Sequence, residues 1–134
     1  MNYPFPARLW RAQPLYVVDG DTADLFVDVG FKHYGVFRFR FLDIDTAELR
    51  DRDPVEREKA KAAKTAVQQF LNCFHRTTKV DLAKWPIKIE TEKATGSDAF
   101  GRYLCRIFFE LEGKEISLNA QLLSMGLAEP YDER

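Results

Sequence analysis

The segment "VFRFRFLDIDTAE", residues 36–48, decides which kind of fold the chain can adopt. Aromatic and basic residues alternate along its first half, in the order Phe37, Arg38, Phe39, Arg40, Phe41. Because side chains on a β-strand point alternately to its two faces, the phenylalanines line one face and the arginines line the other. An aromatic face of this kind can fill the interior of a β-barrel, which places the arginines on the outside.

Turn-forming residues divide the chain around this segment into three strands. Asp19-Gly20 and a glycine-containing stretch from Gly30 to Gly35 stand between apolar runs, as in antiparallel hairpins. For Asp19-Gly20 we expect a tight turn, because both residues tolerate a positive φ. The predicted strands are residues 7–18, 22–29 and 35–42.

The second half of the chain predicts two helices and two more strands. A helix is expected over residues 54–74, with Pro54 in its first turn and apolar residues at helical spacing. The strands "PIKIETEK", residues 86–93, and "RYLCRIFFEL", residues 102–111, flank the loop "ATGSDAFG". A short final helix is expected from the N-cap Ser117 to the C′ residue Gly126.

This order of elements indicates an α+β fold that is mainly β. It matches a five-stranded Greek-key barrel of the OB type, with a helix between strands three and four and a short C-terminal helix. Other α+β folds share the order. Since no internal repeat or linker interrupts the chain, residues 1–134 are expected to form a single domain.

Composition limits the class of partner. With 20 basic and 21 acidic residues, the chain does not carry the excess positive charge that holds nucleic acid non-specifically, so a polyanion must be bound locally. There is no signal-peptide pattern and no apolar run of roughly 18 residues, so we expect a soluble, cytoplasmic protein without a membrane partner, secretion staying open if a leader had been removed. Cys73 and Cys105 are expected as buried thiols, with one disulfide as the alternative.

Acidic residues cluster at two strand ends. Asp19 and Asp21 are two residues apart, a spacing that on a strand puts both carboxylates on one face, able to hold a hard cation. Asp45 and Glu48 follow the third strand, and Arg40 precedes Asp45 by five residues. Each cluster also has a purely structural explanation. The first would be turn residues, and in the second Asp45 would cap a short turn while Glu48 reaches back as the third residue of a capping box. Together they contain the groups that a phosphodiesterase needs.

A third fragment, Gly101-Arg102, opens the last long strand, where a lone arginine is usually a solvated surface charge. The three fragments in this order are DGDT at residues 19–22, R-x4-D-T-x-E at residues 40–48, and GR at residues 101–102. They resemble the motifs of the staphylococcal nuclease (thermonuclease) family. The similarity runs from about residue 16 to residue 128, and the OB-type order of elements agrees with it.

The resemblance implies a role for each matched residue. The calcium ligands are Asp21, Asp45 and the backbone carbonyl of Thr46. The catalytic residues are Arg40 and Arg102, which bind phosphate, and Glu48, which is the general base or positions the attacking water. Asn119 matches a structural asparagine of the family.

Four further residues are predicted around this site. Asp19 and Thr22 are expected to support the metal ligands, by orienting them or through water. Phe100 stands where tyrosine is common in the family and keeps a ring that can stack on a base. Tyr131 is a second stacking candidate.

The function that the resemblance implies is a calcium-dependent nuclease. It would hydrolyse DNA and RNA with little sugar specificity, prefer single-stranded or frayed substrates, leave 3′-phosphate ends and act as a monomer. The alternative is a weak or inactive nuclease-like module that binds single-stranded nucleic acid or a protein partner, although every matched position is filled. A third hypothesis is a barrel that acts on small phosphodiesters.

Overall fold

A computed structural model describes residues 8–91 and 102–131 of the chain. The elements in chain order are β1 Arg8–Asp19, β2 Thr22–Gly30, β3 His33–Phe41, β4 Ile44–Asp45, α1 Pro54–Leu71, β5 Ile87–Thr91, β6 Tyr103–Leu111, β7 Lys114–Ser117, α2 Leu118–Ser124 and β8 Glu129–Pro130. None of the helices in these two ranges is long and apolar enough to cross a membrane.

Five of the strands close into a barrel. The main sheet has the order β3-β2-β1-β5-β6-β7, and an additional pairing of β3 with β6 joins its two sides. That pairing is parallel and runs from Phe39 opposite Tyr103 to Phe41 opposite Cys105. All other pairings in the sheet are antiparallel. The predicted α+β fold, an OB-type barrel with α1 between its third and fourth strands, is therefore confirmed.

The alternating segment of β3 occupies the faces that its pattern predicts. Phe39 and Phe41 are buried in the barrel core, and Phe37 packs against that core. Arg38 lies on the outside, with its side chain 48% exposed. Arg40 is on the same outer face, yet its side chain is only 9% exposed. Other residues must therefore shield Arg40 from solvent on the outside of the barrel. These residues belong to the candidate site described below.

Helix α1 begins where the sequence predicts but ends earlier. Asp53 is the N-cap and its side chain accepts a hydrogen bond from the Val55 amide. The helix ends at Leu71, because Asn72 adopts the left-handed conformation with φ of 51°. The predicted end at residue 74 was therefore wrong. The buried side of the helix is rich in alanine, which lets it lie close to the barrel: Ala60, Ala63, Ala66, Val67 and Leu71.

The turn between β1 and β2 differs from the prediction in position and cause. Asp19 pairs with Thr22, so the turn residues are Gly20 and Asp21, and neither has a positive φ. Asp21 accordingly lies in the turn, not on a strand. A Cβ atom at Gly20 would lie 2.6 Å from the Ala63 Cβ. Glycine is needed here because the turn packs directly on α1, not because the backbone is left-handed.

Two other hairpins were incompletely predicted. The β2–β3 turn is formed by Phe31 and Lys32, with φ of 56° and 61°, and Gly35 lies inside β3. A hairpin through Glu112 and Gly113, both with positive φ, adds the unpredicted strand β7.

Helix α2 agrees with its predicted ends. Its N-cap is Ser117, whose hydroxyl accepts from the Ala120 amide at 3.2 Å, and Gly126 follows the C-cap with φ of 71°. The two thiols, Cys73 and Cys105, are free and buried, as expected.

Candidate functional site

A cleft of about 590 Å³ lies outside the barrel, where the β1–β2 turn, the end of β3, the segment after β4 and the start of β6 meet. Eight of the residues predicted from the sequence line it: Asp19, Asp21, Arg40, Asp45, Thr46, Glu48, Arg102 and Tyr131. Thr22 is buried beneath the cleft, 2% exposed. Phe100 lies outside the described residues.

Arg40 lines the cleft and contacts both acidic clusters. Its Nη2 atom lies 3.2 Å from Asp45 Oδ1 and 3.8 Å from Asp21 Oδ2. Its guanidinium also lies over the Tyr131 ring, 4.8 Å from the ring centroid. The carboxylates of the two acidic clusters therefore flank a single guanidinium nitrogen, and these contacts cover Arg40.

A short two-stranded sheet positions Asp45 and Tyr131. Strand β4 pairs with β8, with Asp45 opposite Glu129, and the Tyr131 amide donates to the Asp43 carbonyl at 2.9 Å. This sheet was not predicted. Residues 46–48 have no regular secondary structure, and the turn that follows begins at Glu48, whose carbonyl accepts from the Asp51 amide. The structural explanation, in which Asp45 caps a short turn, was therefore wrong.

Asn119 holds the connection between β3 and β4. Its Nδ2 donates to the Leu42 carbonyl at 2.6 Å, and its Oδ1 accepts from the Ile107 amide at 3.2 Å. The side chain is 3% exposed. It therefore ties the backbone just beyond Arg40 to β6, which is a structural role, as the sequence indicated.

A chain of hydrogen bonds connects the β1–β2 turn to Arg102. The Asp21 amide donates to Asp19 Oδ1 at 3.1 Å, and the Thr22 hydroxyl donates to Asp21 Oδ1 at 3.0 Å. Arg102 Nη1 donates to Thr22 Oγ1 at 3.1 Å. Asp19 and Thr22 thus both contact Asp21. Contacts of this kind would let them orient Asp21 as a metal ligand, the role expected of them from the sequence.

Burial and a neighbouring carboxyl disfavour the ionised form of Asp19. The pKa of Asp19 is raised to about 6, first by burial and then by the neighbouring carboxyl of Asp21, while the hydrogen bond from the Asp21 amide opposes the shift. Two nearby carboxylates that are costly to ionise together favour a bound cation, which would lower that cost.

The residues present fit a hard cation that keeps several waters. The donors that face the cleft are carboxylate oxygens, the kind of ligand that Ca²⁺ and Mg²⁺ prefer. In residues 8–91 and 102–131, no three His, Cys, Asp or Glu side chains are grouped as a complete metal cluster. Ca²⁺ also accepts backbone carbonyls and water as ligands, so carboxylates need not supply its whole coordination.

The rim of the cleft contains both predicted and unpredicted residues. Glu48 is exposed on the rim, and its carbonyl accepts from the Asp51 amide at 3.1 Å. Arg50, also exposed, lines the cleft and was not predicted. Its position two residues after the predicted site residue Glu48 could have suggested that it lies near the cleft. Tyr131 was expected to stack on a base, and the structure places it against Arg40.

Two comparisons with known proteins gave matches. A family model described as "Staphylococcal nuclease homologue" matches residues 38–134. The chain is also 30% identical over 121 residues to "Uncharacterized protein MJ1439" of Methanocaldococcus jannaschii, a match that covers 86% of this chain and 56% of the relative. The chain thus matches little more than half the length of that curated relative. The family match includes Arg40 and Arg102 but begins after the β1–β2 turn.

Proposed function

The chain belongs to the family of staphylococcal nuclease homologues, and from this premise we propose that it is a calcium-dependent nuclease. It would hydrolyse phosphodiester bonds in DNA and RNA with little sugar specificity and leave 3′-phosphate ends, preferring single-stranded or frayed substrates and acting as a monomer. The observation that carries the proposal is the position of Arg40, which contacts Asp21 and Asp45 in one cleft that Arg102 also lines.

The two arginines would bind the phosphate. A guanidinium presents several donors in a fixed plane, which suits two phosphate oxygens at once. Arg40 is oriented by Asp45 and by the Tyr131 ring, and Arg102 is oriented by the Thr22 hydroxyl. Because both are held before substrate arrives, little reorganisation is needed as negative charge develops on the phosphate.

Asp21, Asp45 and the Thr46 carbonyl would hold the cation, supported by Asp19. When bound, Ca²⁺ would neutralise charge on a phosphate oxygen and help to position the attacking water. The buried turn keeps Asp21 in place, since its side chain bonds to Thr22 and its amide bonds to Asp19. The turn itself is held against α1 at Gly20.

Glu48 would act on the water from the exposed rim. It would orient the water or accept its proton, and either role requires hydrogen-bond reach in the substrate complex. A 3′-phosphate product means that the bond between phosphorus and the 5′-oxygen breaks, so the water attacks opposite that oxygen.

The test compares two arginines of the same strand. Arg40→Ala removes the central guanidinium of the cleft, and Arg38→Ala is the matched control, because Arg38 lies on the same face and pairs with Asp24 outside the cleft. With single-stranded DNA and with RNA at saturating Ca²⁺, we expect Arg40→Ala to lose about 10²- to 10³-fold in rate. Arg38→Ala should stay near the parental rate.

The same assay, run with Ca²⁺, with Mg²⁺ and with a chelator, separates the hypotheses by product length and end chemistry. Cleavage that survives chelation, or equal rates for Arg40→Ala and the parent, would contradict the proposal. Binding of oligonucleotides without cleavage would indicate the binding module. Cleavage of small diesters alone would indicate the third hypothesis.

A further inference from the structure

Two basic side chains meet at the ring of Tyr16 on the outer face of the barrel, and we call these three residues the basic surface. The Arg76 guanidinium lies over the ring, 4.1 Å from its centroid, and Lys64 Nζ lies 5.9 Å from the same centroid. Both distances are in the range of cation–π contacts, which attract a cation without cancelling its charge. Two positive charges are therefore held beside one aromatic ring.

The carboxylate beside the basic surface belongs to Asp24. It lies opposite Tyr16 in the β1–β2 ladder and opposite Arg38 in the β2–β3 ladder. Arg38 donates to both of its oxygens, at 2.7 Å and 3.0 Å, whereas Arg76 Nη1 is 3.6 Å from Oδ2. Arg38 thus balances this carboxylate, and the charges of Arg76 and Lys64 are in excess of it. Since the whole chain has a formal net charge of −1, the excess is local.

The basic surface lies next to the cleft. Arg38 precedes Arg40 by two residues on β3, so their rows of the sheet are about 7 Å apart. Strand β1 is two strands away from β3, at about 4.8 Å per strand, which puts the Cα of Tyr16 roughly 12 Å from that of Arg40. Lys64 directly follows Ala63, against which the β1–β2 turn packs.

Arg76 is both fixed and accessible. The amide of the next residue, Thr77, donates to the Leu15 carbonyl at 2.7 Å, which attaches this segment to β1. The Arg76 side chain is nevertheless 59% exposed. A guanidinium has five N–H donors, so its contacts with a ring and with one carboxylate leave donors for a phosphate.

We propose that Arg76 and Lys64 bind a second phosphate of the nucleic-acid strand, outside the cleft. A polymer is then held at two places and a small diester at one. The inference rests on the proposed function for the identity of the ligand. The separation of roughly 12 Å suits it, because phosphates of one strand follow each other at about 3.4 Å along the axis of a helix, so a few nucleotides span the distance.

The experiment measures how strongly binding depends on salt, with a chelator present to prevent cleavage. The ligands are a fluorescent single-stranded oligonucleotide of about ten nucleotides, within the site size of OB folds, and a dinucleotide with a single phosphate. Each phosphate contact to a single strand contributes about 0.7 to the steepness of log K against log salt concentration. We expect Arg76→Ala to lose about 0.7 of this slope with the oligonucleotide. Between about 50 and 200 mM salt, the affinity of the parent should then fall roughly 2.6-fold more than that of the variant.

The length of the ligand and the charge of the side chain give two further checks. The dinucleotide, whose phosphate occupies the cleft, should bind Arg76→Ala and the parent equally. Arg76→Lys keeps the positive charge and should keep most of the parental slope, because counterion release depends on charge.

Arg11→Ala is the matched control. Arg11 has the same two kinds of contact as Arg76, since it pairs with Asp28 at 2.8 Å and lies over the Trp85 ring, 4.6 Å from its centroid. Its side chain is 57% exposed, but it does not line the cleft and lies toward the opposite end of β1 from Tyr16. Its removal should leave the slope at the parental value.

The outcomes distinguish this inference from the proposed function. If the parent cleaves DNA and Arg76→Ala keeps the parental slope, only the role of the basic surface is overturned. An equal loss of slope in Arg11→Ala would indicate a general effect of charge, and weaker binding of the dinucleotide to Arg76→Ala would indicate an effect on the cleft; either result overturns the inference. If the parent shows the expected difference in slope but does not cleave, the second phosphate site stands and the proposed function is overturned. A parent that binds neither ligand overturns both.

Discussion

Substitution of Gly20 by alanine should disturb the fold and the site together. The new Cβ would lie 2.6 Å from the Ala63 Cβ, and 3.1 Å and 3.2 Å from Oγ1 and Cγ2 of Thr46. The nearest of these atoms is attached directly to the backbone of α1, so it cannot move away by changing rotamer. Either the turn or the helix must shift, and the turn contains Asp21.

The expected cost follows from two opposing effects. Overpacking a well-packed interior costs about 1–3 kcal/mol. Replacing glycine by alanine at a φ that alanine tolerates returns about 0.4–1 kcal/mol, by restricting the unfolded chain. For Gly20→Ala we therefore expect the free energy of unfolding to fall by roughly 1–2 kcal/mol, and the cleavage rate to fall as well because the turn is displaced.

A second substitution identifies the cause. Ala63→Gly alone should cost about 1 kcal/mol in helix propensity. In the double variant the 2.6 Å contact no longer exists. The loss of the double variant should therefore be smaller than the sum of the two single losses by about 1–2 kcal/mol, within the range of about 0.5–3 kcal/mol seen for residues in contact. Urea unfolding measures this, provided that the m-value is unchanged.

The control is Gly113→Ala, which has φ of 79° and faces open space. It should lose stability through backbone strain and add to Ala63→Gly without coupling. Losses for Gly20→Ala and Ala63→Gly that sum within about 0.5 kcal/mol, as they do for distant sites, would refute the close packing of the turn on α1.

Two further outcomes are expected. Asn119→Ala should lower the free energy of unfolding by roughly 2–6 kcal/mol, because it leaves the Leu42 carbonyl and the Ile107 amide buried without a side-chain partner, each at about 1–3 kcal/mol. A urea midpoint near the parental one would contradict this. Burial raises the pKa of the Cys105 thiol, so the folded state keeps a proton that the unfolded state loses above about pH 8.5. Stability should accordingly fall as the pH rises above that value, and Cys105→Ala should be less pH-dependent; identical pH profiles of the two proteins, measured by urea unfolding, would exclude this effect.

The fold could be predicted from the sequence because its main signals are local. The alternation of Phe37, Phe39 and Phe41 with arginines depends only on strand geometry, and the ends of α2 depend on Ser117 and Gly126. Strands β4 and β8 have two residues each and exist only because the folded chain brings them together. Nothing in a two-residue segment distinguishes it from a loop.

The turns were also predicted only in part from the sequence. The glycine-containing stretch indicated the β2–β3 hairpin, and Gly30 has φ of 94°, but Phe31 and Lys32, which follow it, also adopt a left-handed backbone that their residue types do not predict. Gly20 was correctly predicted to lie in a turn, but for the wrong reason. Glycine is required there because Ala63, 43 residues further along the chain, leaves no room for a Cβ atom. The grouping of the site residues was inferred by resemblance, whereas the contact between Arg40 and Tyr131 depends on the unpredicted β4–β8 sheet.

Closure of the barrel is what turns three separate motifs into one cleft. Arg40 lies opposite Thr22 on β2 and opposite Leu104 on β6, so the strand that contains it joins β2 to β6 at this end of the barrel. A slip of one residue in either ladder would move Arg40 to the core face and bring a phenylalanine into the cleft. The packing of Phe39 and Phe41 in the core opposes such a slip. The aromatic half of the alternating segment thus specifies the register, and the register places the guanidinium between Asp21 and Asp45.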